Sequence, residues 1–283
     1  MGYWIVQTMN GISFGMVLFV IAAGLSLIFG LMRIVNLAHG CFYALGAYLA
    51  IAILQWTGSY FLSMVAGPCG VAILGMIMQR FFLHRFPKKP LSQILLTLGF
   101  VFILEDLALL IWGGEHREIP KPPLFAGVLE IGDMSFPTYR LIIIATGILL
   151  AIGLWLFQEK TIMGATVRAS VDDPEMAGGL GINVPALFTL IFCLGSLLSA
   201  FGGAMGGLLT GIYPGAEWEV LLLAMAVLIL GGLGSLKGAF LASLFVGLVD
   251  NFGRVLIPNL ALFTVFAPVA LVLAFKQTGF FGK

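Results

Sequence analysis

Long apolar runs, each about as long as a membrane-spanning helix, occupy most of the chain. A helix needs roughly 20 mainly apolar residues to cross the hydrocarbon core of a bilayer. Of the 283 residues, 60% are hydrophobic and only 10% are charged, so little sequence remains for a soluble domain. About eight or nine runs are visible, near Trp4–Leu31, Leu37–Trp56, Phe61–Phe82, Leu91–Trp112, Tyr139–Phe157, Leu187–Thr210, Val220–Leu236, Ala239–Ile257 and Leu260–Phe275.

These runs predict an all-α fold. We expect a polytopic transmembrane bundle of about eight to ten helices that forms a single transmembrane domain over residues 1–283. The segment Met1–Asn10 lacks the basic region and small-residue cleavage site of a signal peptide, so the first run should stay in the membrane.

Three polar segments between the runs indicate the topology. His84–Pro90 is short and basic, and the positive-inside rule places it in the cytoplasm. Counting runs from this segment places residues 160–185 and the C-terminus inside as well. Residues 113–138 become the main external loop.

Two glycine-containing segments, Gly30–Gly40 and Gly231–Gly238, interrupt apolar sequence without a real loop between the runs. Such breaks predict discontinuous helices, which membranes tolerate only against protein or a water-filled path. Their similar placement suggests a possible internal two-fold repeat. We therefore predict a solute path along the breaks, with Asn36, His39, Gly40, Gly231, Gly232, Gly234 and Ser235 as candidate lining residues. The alternative is that Arg33 anchors the chain at the cytoplasmic surface and that Asn36 and His39 satisfy backbone groups.

Most other glycines have a simpler interpretation. The chain contains 37 of them, and pairs such as Gly11/Gly15 and Gly203/Gly207 have the GxxxG spacing that lets membrane helices pack closely. We expect these pairs to lie at helix contacts.

The segment Gly164–Asn183 has the composition of an ordered connector. Asp173 suits a helix N-cap, Pro174 suits the first helical position and Glu175 complements the helix dipole. Gly178, Gly179 and Gly181 then provide a stop. We predict a short helix between two membrane spans, of the kind on which an external motor could act; an ordinary amphipathic connector is the alternative.

The remaining charged residues suggest an alternative class of function, in which ions are coupled to transport. Adjacent Glu105 and Asp106 must point to different faces of a helix, Asp250 and Arg254 are spaced to form an i,i+4 ion pair, and Glu217 and Glu219 are expected to be solvated at an outer turn. A secondary carrier or channel could use Glu105, Asp106 or Asp250 for ion coupling.

Signals for catalysis or cofactors are absent from the sequence. Cys41, Cys69 and Cys193 have no CxxC spacing, so neither a zinc site nor a disulfide framework is predicted. A GxxxxGK[ST] phosphate loop is also missing, so this chain does not itself hydrolyse ATP. We predict no catalytic residue, no metal and no cofactor in this chain.

Several motifs, in order along most of the chain, resemble one known family. They include Gly24-Leu-Ser-Leu-Ile-Phe-Gly-Leu-Met-Arg-Ile-Val-Asn-Leu-Ala-His-Gly40, Phe42-Tyr43, Leu45-Gly-Ala-Tyr48, Asp173-Pro174, Leu180-Gly-Ile182 and Gly231-Gly-Leu-Gly-Ser235. The pattern is similar to permeases of branched-chain amino-acid ABC importers, of the H-type subunit.

The resemblance implies a function and a set of partners. It implies a multi-pass protein of the bacterial inner membrane with a related M-type permease, two cytoplasmic ATPase subunits and a periplasmic solute-binding protein as partners. ATP is then used by the partners. It also implies that residues 168–182 dock on an ATPase, with Arg168, Asp172, Asp173, Pro174, Glu175, Ala177 and Gly181 as the coupling residues.

One position departs from the family pattern and bears on the solute. Amino-acid members commonly have an acidic residue after the His-Gly pair, where this chain has Cys41. Branched-chain amino acids are one expected solute class; amides, urea, and aromatic or other organic acids, which similar permeases carry, are alternatives.

Overall fold

The computed structural model describes residues 2–32, 36–86, 89–121, 127–131, 134–276 and 279–280. Within these residues the protein is a bundle of eleven α-helices with one small β-hairpin. The helices are α1 Gly2–Met32, α2 His39–Thr57, α3 Tyr60–Ile77, α4 Pro90–Trp112, α5 Thr138–Lys160, α6 Ile162–Asp172, α7 Pro174–Gly179, α8 Val184–Leu209, α9 Ala216–Gly231, α10 Leu236–Leu256 and α11 Ala261–Phe275.

The predicted all-α transmembrane bundle is confirmed. Among the described residues, seven helices are long and apolar enough to cross a membrane, namely α1, α2, α3 with its continuation to Arg85, α4, α5, α8 and α10. The apolar runs fall mainly on helices α1 to α5 and α8 to α11. Helices α9 and α11 are shorter, with 16 and 15 residues, so each extends only about 23 Å along its axis.

Helix α1 lies at the centre of the bundle. It packs against α10, α8, α5 and α9, while α2 packs against α8 and α3. The apolar stretch of α1 is 83% buried, whereas those of α4 and α5 are 17% and 11% buried. Helices α4 and α5 therefore present most of their apolar surface outward, as helices that face lipid do.

Glycines bring the central helices into backbone contact. On α1, a Cβ added to Gly15 would lie 2.9 Å from the carbonyl oxygen of Ser243 on α10. On α8, a Cβ added to Gly203 would overlap the carbonyl of Tyr43 on α2. The packing role predicted for the Gly11/Gly15 and Gly203/Gly207 pairs is confirmed, because each of these glycines meets a neighbouring helix.

The helix ends fall into two groups at opposite ends of the bundle. At one end, which we call the Asn10 end, the Asn251 side chain donates to the Gln7 carbonyl at 2.9 Å, and Arg117 pairs with Ile212 through two backbone hydrogen bonds. At the other end, which we call the Gly30 end, the end of α1 lies against the segment between α9 and α10, where a Cβ added to Gly30 would lie 3.1 Å from the Gly234 Cα. Consecutive membrane-spanning helices thus alternate in direction.

Both breaks separate helices in the structure. Helix α1 ends at Met32 and α2 begins at His39; Arg33 lies outside the described residues. Helix α9 ends at Gly231, where Gly232 and Gly234 adopt left-handed φ angles of 95° and 81°. The Ser235 hydroxyl then caps α10 by accepting from the Gly238 amide at 3.1 Å.

Two polar segments carry small elements of their own. Between α5 and α8 lie the two short helices α6 and α7, the second of which matches the helix predicted after Asp173. Between α4 and α5, strand β1 (Val128–Ile131) pairs antiparallel with β2 (Met134–Pro137).

The contact between α2 and α8 leads to a stability prediction. Gly203→Ala places a methyl group against the backbone of Tyr43, which cannot move without shifting α2, so we expect a loss of about 1–3 kcal/mol in unfolding free energy. Gly153→Ala on α5 is the matched control, since no atom lies within 4 Å of the added Cβ. The measurement is thermal unfolding of the two purified variants in detergent. Equal melting temperatures would contradict the packing.

Candidate functional site

A polar cavity lies at the Asn10 end of the bundle. It has a volume of about 360 Å³ and is enclosed by residues from α1, α2, α5, α8, α9 and α10. Apolar residues Phe14, Leu209, Val220 and Leu223 form part of the wall. The polar side chains on the wall are those of Asn10, Tyr43, Arg140, Thr210, Tyr213, Glu219, Asp250, Asn251 and Arg254. Since charged groups are costly inside a membrane bundle, their clustering makes this cavity the candidate functional site.

Two polar contacts organise the α9 and α10 wall. The Arg254 Nε donates to Asp250 Oδ2 at 2.8 Å, so the predicted i,i+4 ion pair is confirmed. The Tyr213 hydroxyl donates to Glu219 Oε2 at 2.9 Å. Burial, together with the Glu219 carboxylate, raises the pKa of Tyr213 above its ordinary value, so the phenol remains a neutral donor.

The α1 and α5 wall carries a second cation. Arg140 lies in the first turn of α5, and its Nη1 donates to Asn10 Oδ1 at 2.8 Å. Its Nε atom is buried and has no hydrogen-bond partner. Asn10, a polar residue within the first apolar run, thus positions a guanidinium at the cavity rather than interrupting the helix.

The acidic residues near this end differ from the sequence prediction in one respect. Glu219 faces the cavity and is solvent-accessible, as expected. Glu217 was expected to be solvated, and this is wrong: it is only 5% exposed and accepts a hydrogen bond from the Gly215 amide at 3.0 Å. The reason is that Gly40, which has no side chain, lets the start of α2 approach the Glu217 backbone closely.

Glu217 also contributes to a small enclosed pocket beside α4. Cys41, Tyr48 and Glu105 line the same pocket, whose free volume of about 10 Å³ is roughly that of one water molecule. Asp106, the neighbour of Glu105, is exposed instead. The two adjacent carboxylates therefore point to different faces of α4, as predicted.

Asn36 and His39, proposed from the sequence for the solute path, are fully buried inside the bundle. The His39 Nε2 lies 2.9 Å from the Ile21 carbonyl of α1, and the Ser199 hydroxyl of α8 donates to the His39 carbonyl at 2.7 Å. The Asn36 Oδ1 accepts from the Ala38 amide at 3.1 Å. These contacts fix the start of α2 against α1 and α8.

The two helix breaks touch each other. A Cβ added to Gly30, near the end of α1, would lie 3.1 Å from the Gly234 Cα in the second break. Gly231 packs against Gly238 across that break, where neither position has room for a side chain. The Phe280 amide donates to the Leu230 carbonyl at 2.6 Å and so satisfies a carbonyl at the end of α9.

Helices α6 and α7 and the turn after them form a surface segment that carries the proposed coupling residues. Asp173 caps α7 by accepting from the Glu175 and Met176 amides at 3.0 and 2.9 Å, and Pro174 begins the helix. Ala177 is buried, and Gly181 has a φ of 87° that ends the segment. The Arg168 side chain on α6 is partly buried, and Asp172 is exposed.

The same surface exposes apolar side chains that sequence analysis did not single out. Ile162, Met176 and Leu180 are 88%, 63% and 76% exposed. Asp172 and Asp173, which precede Met176 and Leu180 in the chain, are exposed as well. Helix α6 packs against both α5 and α1, so this surface is in direct contact with the central helix.

The family model of branched-chain amino acid transport system permease components matches residues 7–275. The chain belongs to this family. It is therefore a multi-pass membrane permease component of an ABC-type transporter, and it is not itself an enzyme.

Three curated relatives illustrate the range of the family. The chain is 27% identical to the high-affinity branched-chain amino acid transport system permease protein BraD of Pseudomonas aeruginosa, over 99% of this chain and 96% of the relative. It is 28% identical to the corresponding protein LivH of Escherichia coli K12, with the same coverage. It is also 27% identical to the autoinducer 2 import system permease protein LsrC of Escherichia coli, over 88% of this chain and 72% of that protein. No solved structure matches the chain.

The contacts of His39 lead to a prediction. His39→Leu removes the hydrogen bond to the Ile21 carbonyl at a site with no access to water, so we expect the protein to lose about 1–3 kcal/mol of stability. The control is His84→Leu, the same change at an exposed histidine. Thermal unfolding in detergent measures both. A melting temperature of His39→Leu equal to that of the control would mean that the buried contact does not stabilise the start of α2.

Proposed function

We propose that this permease component moves branched-chain amino acids or related small polar solutes into the cytoplasm of a bacterium by ATP-driven alternating access. The observation that carries the proposal is a charged cavity at one end of an otherwise apolar bundle, in a chain that aligns over 99% of its length with curated branched-chain permeases. A polar cavity in such a bundle can receive a small solute and shield it from lipid.

The proposed orientation places the Asn10 end at the periplasm and the Gly30 end, with α6 and α7, at the cytoplasm. The basic segment His84–Pro90 supports it through the positive-inside rule. Residues 113–138 with their hairpin are then external, and the C-terminus is cytoplasmic. A periplasmic binding protein would deliver solute at the cavity.

The proposed partners are a second permease subunit of the related M-type, two cytoplasmic ATPase subunits and a periplasmic binding protein. The surface of α6 and α7 supports an ATPase contact. Its exposed Met176 and Leu180 would fill an apolar groove, and Asp172, Asp173 and Glu175 would meet basic residues at the rim. Arg168, Pro174, Ala177 and Gly181 would keep the segment in shape for docking.

The proposed mechanism uses α1 as the link between the two ends. ATPase closure would move α7 and α6, and α6 contacts α1. Helix α1 carries Asn10 and Phe14 at the cavity and Gly30 at the contact between the breaks. Separation of the breaks would open the inner half of the path, which Asn36, His39, Gly40, Gly231, Gly232, Gly234 and Ser235 would then line.

The orientation predicts a labelling pattern in a variant whose three native cysteines are replaced by serine. Met176→Cys, in α7, should react with a membrane-impermeant maleimide only in inside-out vesicles. Trp56→Cys is the control at the opposite end, where the side chain is 88% exposed, and it should react only in intact spheroplasts. Reaction of Met176→Cys from the outer side would reverse the proposed topology.

The docking surface predicts a separable defect. Met176→Asp places a carboxylate at the centre of the proposed apolar contact, so we expect at least tenfold less ATPase co-purified with the permease and a similar loss of ATP-driven uptake. Ile162→Asp tests the edge of the same surface, and Leu110→Asn, on the outward face of α4, is a control for exposed apolar residues elsewhere.

Two results would contradict the proposed function. One is that the Met176→Asp variant and a variant that lacks Asp173–Gly179 both retain full ATPase binding and full ATP-driven uptake. The other is gradient-driven uptake by the purified chain alone in liposomes, which would instead support an ion-coupled carrier or channel.

A further inference from the structure

The charges of the cavity are arranged unevenly. Two cations, Arg140 and Arg254, and two carboxylates, Glu219 and Asp250, line it. Arg254 is paired with Asp250 at 2.8 Å, and the Asp250 side chain is only 6% exposed. This pair lies within a single helix, and Arg254 also interacts electrostatically with Glu219, whereas neither arginine makes an ion pair with Glu219 among the described residues.

Arg140 has no carboxylate within ion-pair distance among the described residues. Its polar contact there is the donation from Nη1 to the neutral Asn10 side chain at 2.8 Å, and its Nε is buried without a partner. A guanidinium is a planar fork of donors that matches a carboxylate geometrically. The site is therefore incomplete on the α5 side, and a carboxylate would complete it.

Glu219 provides the opposite charge on α9. Its carboxylate accepts from the Tyr213 hydroxyl at 2.9 Å and is exposed to the cavity. One oxygen is oriented by that bond, and the carboxylate retains capacity to accept from a donor in the cavity. An ammonium group beside it would gain a charge-assisted hydrogen bond.

The two groups lie on different helices that line one cavity. Arg140 is on α5 and Glu219 is on α9, and each of these helices packs against α1 and α10. Phe14 and Leu223 also line the cavity, so an apolar group can be buried in the same space as the two charged ends.

We propose that this cavity is a binding site for a small zwitterion with an apolar side chain, in which Arg140 binds the carboxylate and Glu219, oriented by Tyr213, binds the ammonium. The inference rests on the proposed transport function and adds that this chain selects its solute itself. A neutral amide or urea, or an organic acid without an ammonium group, leaves at least one of the two charges unpaired. Such a solute is discriminated against because the unpaired group loses hydration without gaining a partner.

The first experiment uses isothermal titration to compare ligands on the two permease subunits assembled with the ATPases, in the absence of both nucleotide and the binding protein. L-leucine is compared with isocaproate, which lacks the ammonium group, and with isoamylamine, which lacks the carboxylate. We expect L-leucine to bind at least tenfold more tightly than either. If either analogue bound as tightly as L-leucine, or if L-leucine did not bind, the proposal would be overturned without the use of any variant.

The second experiment assigns the residues. Arg140→Gln and Glu219→Gln should each weaken L-leucine binding about tenfold or more, and Arg140→Lys should retain part of the affinity because it keeps the charge. Lys121→Gln and Glu118→Gln neutralise exposed charges at the same end outside the cavity, and they should stay within about twofold of the unmodified protein. Melting temperatures identify variants that fail to fold.

Measurements of ATP-driven uptake distinguish failure of the proposed zwitterion site from failure of the proposed transport function. Uptake that proceeds normally in Arg140→Gln and Glu219→Gln, with unchanged affinity, would remove the zwitterion site and leave the transport function intact. Absence of any ATP-driven uptake of L-leucine, amides or organic acids by the unmodified importer would remove the transport function itself.

Discussion

The close backbone contacts of α1 are the constraint on which the rest of the structure depends. Inside a bilayer the hydrophobic effect does not drive helices together, so a central helix must be held by close packing. Because Gly15 has no side chain, α10 can approach α1 closely. Gly24 allows α8 to approach in the same way, and a Cβ added to Gly24 would lie 2.6 Å from the Gly195 carbonyl oxygen. Because these contacts are between backbones, α1 has little freedom to shift relative to its neighbours without moving them. A helix held in this way can connect events at its two ends.

The two ends of α1 have different chemistry. At one end, Asn10 orients Arg140 in a cavity that also contains an internally neutralised ion pair. At the other end, Gly30 meets Gly234 in a contact that has no side chains to interlock. Contacts of small residues can separate and re-form with little change in side-chain packing. The cavity therefore suits selection of a solute, and the contact between the breaks suits a gate.

Much of the fold could be predicted because a bilayer requires long apolar helices with internally satisfied backbones. The apolar runs located helices α1 to α5 and α8 to α11, and the Asp173-Pro174 signal located α7. The GxxxG pairs indicated helix contacts without naming the partners. Glu217 was misjudged because its burial depends on Gly40, a residue far away in the sequence that approaches it only after folding.

The sequence by itself determined the membrane-spanning class, the positions of the two breaks and the capped helix before α8, since each follows from local composition and from the backbone preferences of Gly, Pro and Asp. Only the tertiary structure decided that the breaks touch each other and that Arg140 and Glu219 share one cavity. Those residues lie on α5 and α9, which no periodicity relates. Whether these two residues share a cavity depends on how α1 and α10 pack against each other, and glycines that are distant from both residues in the sequence set that packing.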